Sequence, residues 1–177
     1  DYLFLIEFSK VISLAIAKSK HLDDMSWFAT LLNETLNTEM ALHISFCQDF
    51  NIQEKDLLAT KMSPATHAYT RHLLEIGYSG STPEIATAIL PCSWGYSEIG
   101  KRLFKKGVPQ NNPLYSRWIE MYNSDEFEQL ALWIRNFIDR EAKTMTSVNQ
   151  ETLRDIFFTS TQYEYNFWNS AYTLETW

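Results

Sequence analysis

The chain has 177 residues, enough for one sizeable domain, and its hydrophobic fraction of 45% is ordinary for a globular protein. Its formal net charge is -7 and it has no block of lysines and arginines, so the electrostatic footprint of a nucleic-acid-binding protein is missing. No apolar run approaches the roughly 20 residues that span a bilayer, and the start lacks the basic region of a signal peptide. Cys47 and Cys92 are the only cysteines, which favours two free thiols in a reducing compartment. We therefore expect a cytoplasmic protein with no nucleic-acid or membrane partner.

Apolar residues recur at helical spacing along almost the whole chain, which predicts an all-α protein. No alternating strand pattern, hairpin signal or internal repeat is present in the sequence. We expect one domain over residues 1–177, with more helices than a simple four-helix bundle. In chain order, the predicted helices cover about residues 1–20, 23–50, 64–79, 84–105, 114–122, 125–145 and 149 or 150 to near the end, with a short turn at 54–58 and a loop at 107–113.

Pro91 conflicts with the helix predicted around it, and it lies directly before Cys92. A proline inside a helix removes one backbone hydrogen bond, here that of the Thr87 carbonyl, and costs about 3 kcal/mol. A bend at this point would widen a space beside Cys92, and Tyr96 would share its helical face. If the next turn acted as a new helix N-terminus, its free amides would favour the thiolate. The pattern alone leaves open a second interpretation, in which Cys92 is simply a small buried apolar residue.

Glu164 lies in the stretch TQYEYNFW (161–168), among large aromatic residues. On a helix it shares a face with Phe167 and Trp168. A carboxyl group held among aromatic rings has a raised pKa and can donate a proton near neutral pH. The alternative is an exposed glutamate that merely flanks the buried stripe. A thiol, a carboxylic acid and aromatic walls together suit nucleophilic addition to a flat, electron-poor heterocycle.

Glu39 and His43 are one helical turn apart and offer a different chemistry. A carboxylate and an imidazole at this spacing form either a structural hydrogen-bonded pair or half of a metal site. The sequence shows no second pair of this kind, and His67 and His72 would have to be recruited by the tertiary fold. Asp1 has a simple interpretation as the N-cap of the first helix.

Five blocks of the sequence resemble the TenA, or thiaminase II, family. They are DYLFLIEF (1–8), HAYTRHLL (67–74), ILPCSWGYSEIGKRL (89–103), PLYSRWIEMY (113–122) and TQYEYNFWNSAY (161–172). The resemblance extends over essentially the whole chain, and the blocks around Cys92 and Glu164 are the most specific. It implies a haem-oxygenase-like helical bundle that assembles as a homotetramer and works without a cofactor or a metal.

The resemblance also implies an activity and a role for particular residues. The family converts an aminomethyl-pyrimidine to the hydroxymethyl-pyrimidine for thiamin salvage, and it can cleave thiamin to its pyrimidine and thiazole. Cys92 would be the nucleophile and Glu164 the group that binds the ring nitrogen and moves the proton. Asp1 would bind the exocyclic amine. The remaining pocket residues would be Phe4, Tyr69, Tyr96, Tyr122 and Phe167, of which Phe4 stands where some relatives carry tyrosine.

Two alternatives remain at this level. One is a metal or redox protein on the same scaffold that uses Glu39 and His43. The other is a protein that captures a pyrimidine without converting it. The family also has a helical segment before the aspartate that matches Asp1, and we expect that segment to be missing from this chain.

Overall fold

Long helices packed side by side form the whole of the described structure. The computed structural model describes residues 1–177, except for the side chain of Glu54. No strand occurs in these residues, so the prediction of an all-α fold is confirmed. The helices are α1 (Tyr2–Lys18), α2 (Leu22–Glu34), α3 (Met40–Asp49), α4 (Glu54–Ala59), α5 (Pro64–Ser79), α6 (Thr82–Lys106), α7 (Pro113–Tyr122), α8 (Asp125–Ala142) and α9 (Ser147–Thr173).

Most helices begin where the sequence places a capping residue. The Ser63 hydroxyl accepts a hydrogen bond from the Thr66 amide, and Pro64 occupies the first turn of α5. Ser81 and Glu84 form a capping box at the start of α6. These contacts satisfy backbone amides that have no partner inside the helix, and they explain why the predicted starts of α5 and α6 are confirmed.

The helix predicted over residues 23–50 differs most from the structure. Asp23 and Asp24 lie in the first turn of α2, after the N-cap residue His21, and Asp24 is paired with Arg140 at 2.7 Å. A π-helical turn, Thr35–Glu39, separates α2 from α3. Because each residue turns a helix by about 100°, the extra residue of a π turn changes which side chains face inward after it. The long helical segment predicted here is therefore confirmed in its extent, but it contains a π turn that the sequence does not predict.

The core lies where α6 packs against its neighbours. Helix α6 contacts α1, α5, α7, α8 and α9, and α1 also packs against α2 and α5. The side chains that fill this core come mainly from α1, α5 and α6, and they include Leu5, Phe8, Val11, Ile12, Leu73, Ile85 and Ile89. None of the described helices is both long and apolar enough to cross a membrane.

Candidate active site

Cys92 lies near the middle of α6, and the helix continues through Pro91 without a break. No new helix N-terminus starts at Cys92, so the predicted activation of the thiol by free amides is wrong. Pro91 is itself buried, and packing on the neighbouring helices holds the turn in place. Burial raises the pKa of the Cys92 thiol well above its usual value, and the carboxyl groups of Glu164 and Glu39 raise it further. The thiol is therefore protonated at neutral pH and needs a base. Both Cys92 and Cys47 are unbridged, as predicted.

Glu164 reaches the same region from α9. Burial raises the pKa of its carboxyl group to about 7, although contacts with Tyr69, Cys92 and Trp168 work in the opposite direction. Near neutral pH the group is thus divided between acid and carboxylate. Its side chain also lines a cavity of about 300 Å³ between α6 and α9, together with Pro91 and Trp168. The prediction that its aromatic surroundings raise the pKa of Glu164 is confirmed.

Three tyrosines, Tyr69 from α5, Tyr96 from α6 and Tyr122 from α7, are buried around Cys92 and Glu164. Burial raises the pKa of each phenol well above 10, and the charges of Cys92 and Glu164 add to this effect. The Tyr69 hydroxyl makes no hydrogen bond of normal geometry to the described residues, although Glu164 lies close enough to affect its pKa. Because a buried hydroxyl usually has a partner, Tyr69 has unused capacity for a hydrogen bond at this site.

Glu39 belongs to this cluster, which the sequence did not predict. The Tyr122 hydroxyl donates a hydrogen bond of 2.7 Å to Glu39 Oε1. Burial raises the pKa of the Glu39 carboxyl to about 7, while the hydrogen bond from Tyr122 lowers it. The two residues are 83 positions apart in the chain, so no local pattern could have paired them.

Aromatic rings enclose the cluster on two sides. Phe4 lies 5.1 Å from Tyr69 and 5.5 Å from Phe167, measured between ring centroids. Tyr163 stacks on the other side of this group, 5.7 Å from Tyr69 and nearly parallel to it. The second group surrounds Tyr122, whose ring lies 4.9 Å from that of Tyr96. It also includes Trp118, Phe127 and Trp168.

Asp1 lies at the edge of the cluster, in a cavity of about 470 Å³ that Phe167 and His43 also line. Asp1 Oδ2 is 3.4 Å from His43 Nε2, and the geometry is too poor for a hydrogen bond. Burial lowers the pKa of His43 to about 4, so the ring is neutral near pH 7 and the contact is not an ion pair. Asp1 takes the N-cap position of α1 as predicted, but its side chain makes no capping hydrogen bond.

Glu39 and His43 do not form the predicted pair with each other. Glu39 binds Tyr122, whereas His43 lies beside Asp1. Among the described side chains, no three histidine, cysteine or acidic residues come together in a way that would hold a metal ion.

The site therefore combines a protonated thiol with two carboxyl groups that titrate near neutral pH, between walls of aromatic rings. A carboxylate beside a thiol can remove its proton as sulfur attacks, and the acid formed can return that proton to a nitrogen or oxygen. Flat aromatic or heteroaromatic molecules are the ligands that such walls stack against. The structure is thus an all-α bundle in which a thiol and two carboxyl groups lie among buried aromatic side chains.

The comparison with known proteins gives the family. The profile of the TENA/THI-4/PQQC family matches residues 1–174, and the chain belongs to this family. A protein of Halalkalibacterium halodurans named aminopyrimidine aminohydrolase is 39% identical over 179 residues, which cover 100% of this chain and 79% of the relative. A Bacillus subtilis protein of the same name is 35% identical and covers 100% of this chain and 74% of the relative.

Solved structures agree with this assignment. A TenA family transcription regulator from Silicibacter sp. TM1040 superposes with a TM-score of 0.87 at 34% identity, over 96% of this chain and 76% of the other. A TenA homologue from P. horikoshii OT3 superposes with a TM-score of 0.85 at 25% identity, over 98% of this chain and 79% of the other. The helical fold is thus that of the TenA proteins.

Proposed function

We propose that this chain is an aminopyrimidine aminohydrolase that acts in thiamin salvage and also cleaves thiamin. The observation that carries the proposal is the protonated Cys92 thiol beside Glu164, whose pKa is about 7, between aromatic rings. Relatives that are 34–39% identical and bear the name aminopyrimidine aminohydrolase support the same activity. The two unbridged thiols support a reducing, cytoplasmic location.

In the first proposed step, Glu164 acts as the base. Its carboxylate takes the proton from the Cys92 thiol while the sulfur adds to a ring carbon of the pyrimidine. The electron pair of the broken ring π bond moves to a ring nitrogen, which receives the proton from the Glu164 acid. A pKa near 7 suits a group that must first accept and then donate a proton at neutral pH.

In the following steps, the protonated ring nitrogen pushes its electron pair toward the exocyclic methylene carbon. The carbon–nitrogen bond breaks, and an ammonium substituent leaves as ammonia; in thiamin the thiazole leaves instead. Water adds to the methylene carbon and loses a proton. The carbon–sulfur bond then breaks, the ring nitrogen returns its proton to Glu164, and the thiolate regains a proton. No cofactor is needed in this sequence.

The remaining residues are proposed to bind the substrate. Phe4 and Phe167 would stack on the ring, since Phe4 lies against Tyr69 beside the cluster and Phe167 lies against Phe4. The free hydrogen-bonding capacity of Tyr69 would serve the ring or the thiol. Asp1 would bind the exocyclic amine at the edge of the cavity of about 470 Å³. Tyr96 and Tyr122 would close the site on the side of α7.

The experiment that tests this proposal follows two substrates side by side. Purified protein is incubated with thiamin and with 4-amino-5-aminomethyl-2-methylpyrimidine, and the hydroxymethyl-pyrimidine formed from each is measured by chromatography. Cys92→Ser should lower turnover of both by at least about 10³-fold, because serine is a far weaker nucleophile. Glu164→Gln should also slow turnover strongly, because an amide cannot carry the proton.

Cys47→Ser is the matched control, since it removes the other thiol and should keep turnover. Circular dichroism shows whether each variant is folded. Retained turnover in a folded Cys92→Ser protein would exclude the covalent mechanism. Binding of the pyrimidine by the wild type with no product over hours would favour a capture protein instead.

A further inference from the structure

The pairing of Glu39 with Tyr122 has no part in the steps proposed above. Tyr122 is fully buried, and Glu39 is the one hydrogen-bond partner of its hydroxyl among the residues that the structure describes. A tyrosine hydroxyl has one proton to donate and two lone pairs. Since the proton points to Glu39 Oε1 at 2.7 Å, only lone pairs are left to face any other group in the site.

The neighbours of Tyr122 hold it in this orientation. Its ring lies 4.5 Å from Trp118, 4.9 Å from Tyr96 and 4.9 Å from Phe127, measured between centroids. The C-terminal end of α7 lies against α6, where a Cβ atom on Gly100 would come within 2.6 Å of the Tyr122 carbonyl carbon. These contacts fix the ring of Tyr122, and with it the position of the hydroxyl oxygen beside Glu39.

Glu39 is held from the opposite side by the π-helical turn Thr35–Glu39, of which it is the last residue. Such turns are rare in proteins as a whole but frequent at functional sites. Glu39 also lines a cavity of about 330 Å³, together with Trp27 and Phe127. Its charge acts on the Cys92 thiol, since it is one of the two carboxyl groups that raise the pKa of that thiol.

We propose that Glu39 is a positioning residue for the leaving amine. Its carboxylate accepts the hydrogen bond of the Tyr122 hydroxyl, so that the Tyr122 oxygen in turn accepts a hydrogen bond from the cationic aminomethyl group of the substrate. This inference rests on the proposed function and names the group that selects among its substrates. A hydrogen-bond acceptor that is itself bonded to a carboxylate binds an ammonium group strongly. It binds a hydroxyl group or a thiazolium ring less strongly.

Binding without turnover tests this inference separately from catalysis. In the Cys92→Ser background, calorimetry gives the Kd of the aminomethyl-pyrimidine and of the hydroxymethyl-pyrimidine. Adding Glu39→Gln should weaken binding of the aminomethyl compound by about tenfold and change that of the hydroxymethyl compound much less. Tyr122→Phe should remove the same preference. The variant that combines Glu39→Gln with Tyr122→Phe should lose no more affinity for the aminomethyl compound than the more strongly affected single variant.

Glu34→Gln is the control, because Glu34 lines the same cavity but, among the described side chains, its carboxyl group bonds only to Asn33 and Thr38. It should leave the ratio of the two Kd values unchanged. A change of this ratio in the Glu39→Gln variant cannot arise from misfolding alone, because loss of structure would weaken binding of both compounds together. A ratio that Glu39→Gln leaves unchanged, or binding of neither compound, would overturn the inference.

The two proposals fail in different ways. If the wild type forms no product from either substrate but Glu39→Gln still removes the preference for the aminomethyl compound, only the proposed function fails. If product forms and the preference is independent of Glu39, only the role of Glu39 fails.

Discussion

At the scale of single residues, the site places two carboxyl groups where burial makes their charged forms unfavourable. Burial raises the pKa values of Glu39 and Glu164 to about 7, from an ordinary value of 4.5. The folded protein therefore holds these two protons more tightly than the unfolded chain does. Such a group stabilises the folded protein at pH values below the pKa that the group has in the unfolded chain. This stabilisation is lost as the pH rises through the pKa that the group has in the folded protein. The same shift that makes Glu164 useful for proton transfer makes it costly for folding above pH 7.

Glu164→Gln should for this reason stabilise the protein at alkaline pH while it slows turnover. At pH 8 the variant should unfold at a higher temperature than the wild type, with a gain on the order of 2 kcal/mol, because the neutral amide replaces a buried charge. The gain should shrink between pH 7 and pH 4.5 and should be small at pH 4.5, where Glu164 is protonated in the folded protein and about half protonated in the unfolded chain. Thermal unfolding followed by circular dichroism from pH 4.5 to pH 8 measures this difference.

Glu120→Gln provides the comparison, since Glu120 is an exposed glutamate on α7. The free energy of unfolding of this variant should stay within about 0.5 kcal/mol of the wild-type value at every pH. If the Glu164→Gln difference did not depend on pH, the carboxyl group would not be protonated in the folded protein near pH 7.

At the scale of helices, the sequence predicts what depends on near neighbours in the chain. The starts of α5 and α6 follow from Ser63 with Pro64 and from Ser81 with Glu84, because a capping contact spans only three residues. The raised pKa of Glu164 agrees with the prediction from its aromatic neighbours, but its main cause is burial in the folded protein. The candidate roles of the distant residues, Tyr69 and Tyr122 among them, came from the family resemblance and not from periodicity.

The failed predictions depend on contacts between distant parts of the chain. The hydrogen bond between Glu39 and Tyr122 joins the π-helical turn to the end of α7, and neither segment carries a local signal for it. The new helix N-terminus at Cys92 was also a wrong prediction, because α6 continues through Pro91, where the surrounding turn is buried. The sequence predicts which side chains carry reactive groups, but it does not predict which of them the packed helices bring into contact.

Gly100 fixes the distance between α6 and α7, and thus the position of Tyr122. A Cβ atom there would lie 2.6 Å from the carbonyl carbon and 2.7 Å from the carbonyl oxygen of Tyr122, which backbone atoms cannot avoid by a rotamer change. Gly100→Ala should therefore destabilise the fold by about 2 kcal/mol and should lower kcat/KM by displacing Tyr122. Chemical denaturation and steady-state kinetics measure the two effects.

Gly95→Ala is the matched stability control on the same helix. A Cβ atom at Gly95 meets no described atom within 4 Å, so alanine should stabilise α6 by about 0.5–1 kcal/mol through its better helix propensity. Equal changes in stability for the two variants would mean that α6 and α7 have room to move apart at Gly100.

At the scale of the whole molecule, α9 has two different faces. Its inner face carries Glu164 and Phe167 toward the site. Its outer face carries a row of exposed aromatic residues, Phe158, Tyr165 and Tyr172, which are 58%, 71% and 90% exposed. A spacing of seven residues places the three side chains along one side of the helix. Exposed apolar rows of this kind mark surfaces that bind another protein.

We expect a second copy of the chain to cover this row in the homotetramer that the family resemblance implies. Phe158→Glu combined with Tyr165→Glu should then lower the mass measured by light scattering after size-exclusion chromatography, because a charge in an apolar interface is costly. Tyr78→Glu combined with Tyr115→Glu is the control, since these exposed tyrosines lie on two other helices, α5 and α7. A wild type of single-chain mass, or an unchanged mass in the α9 variant, would contradict the expectation.

Since the same helix presents Glu164, loss of assembly should also lower the unfolding temperature in a concentration-dependent way and reduce turnover more than the control does.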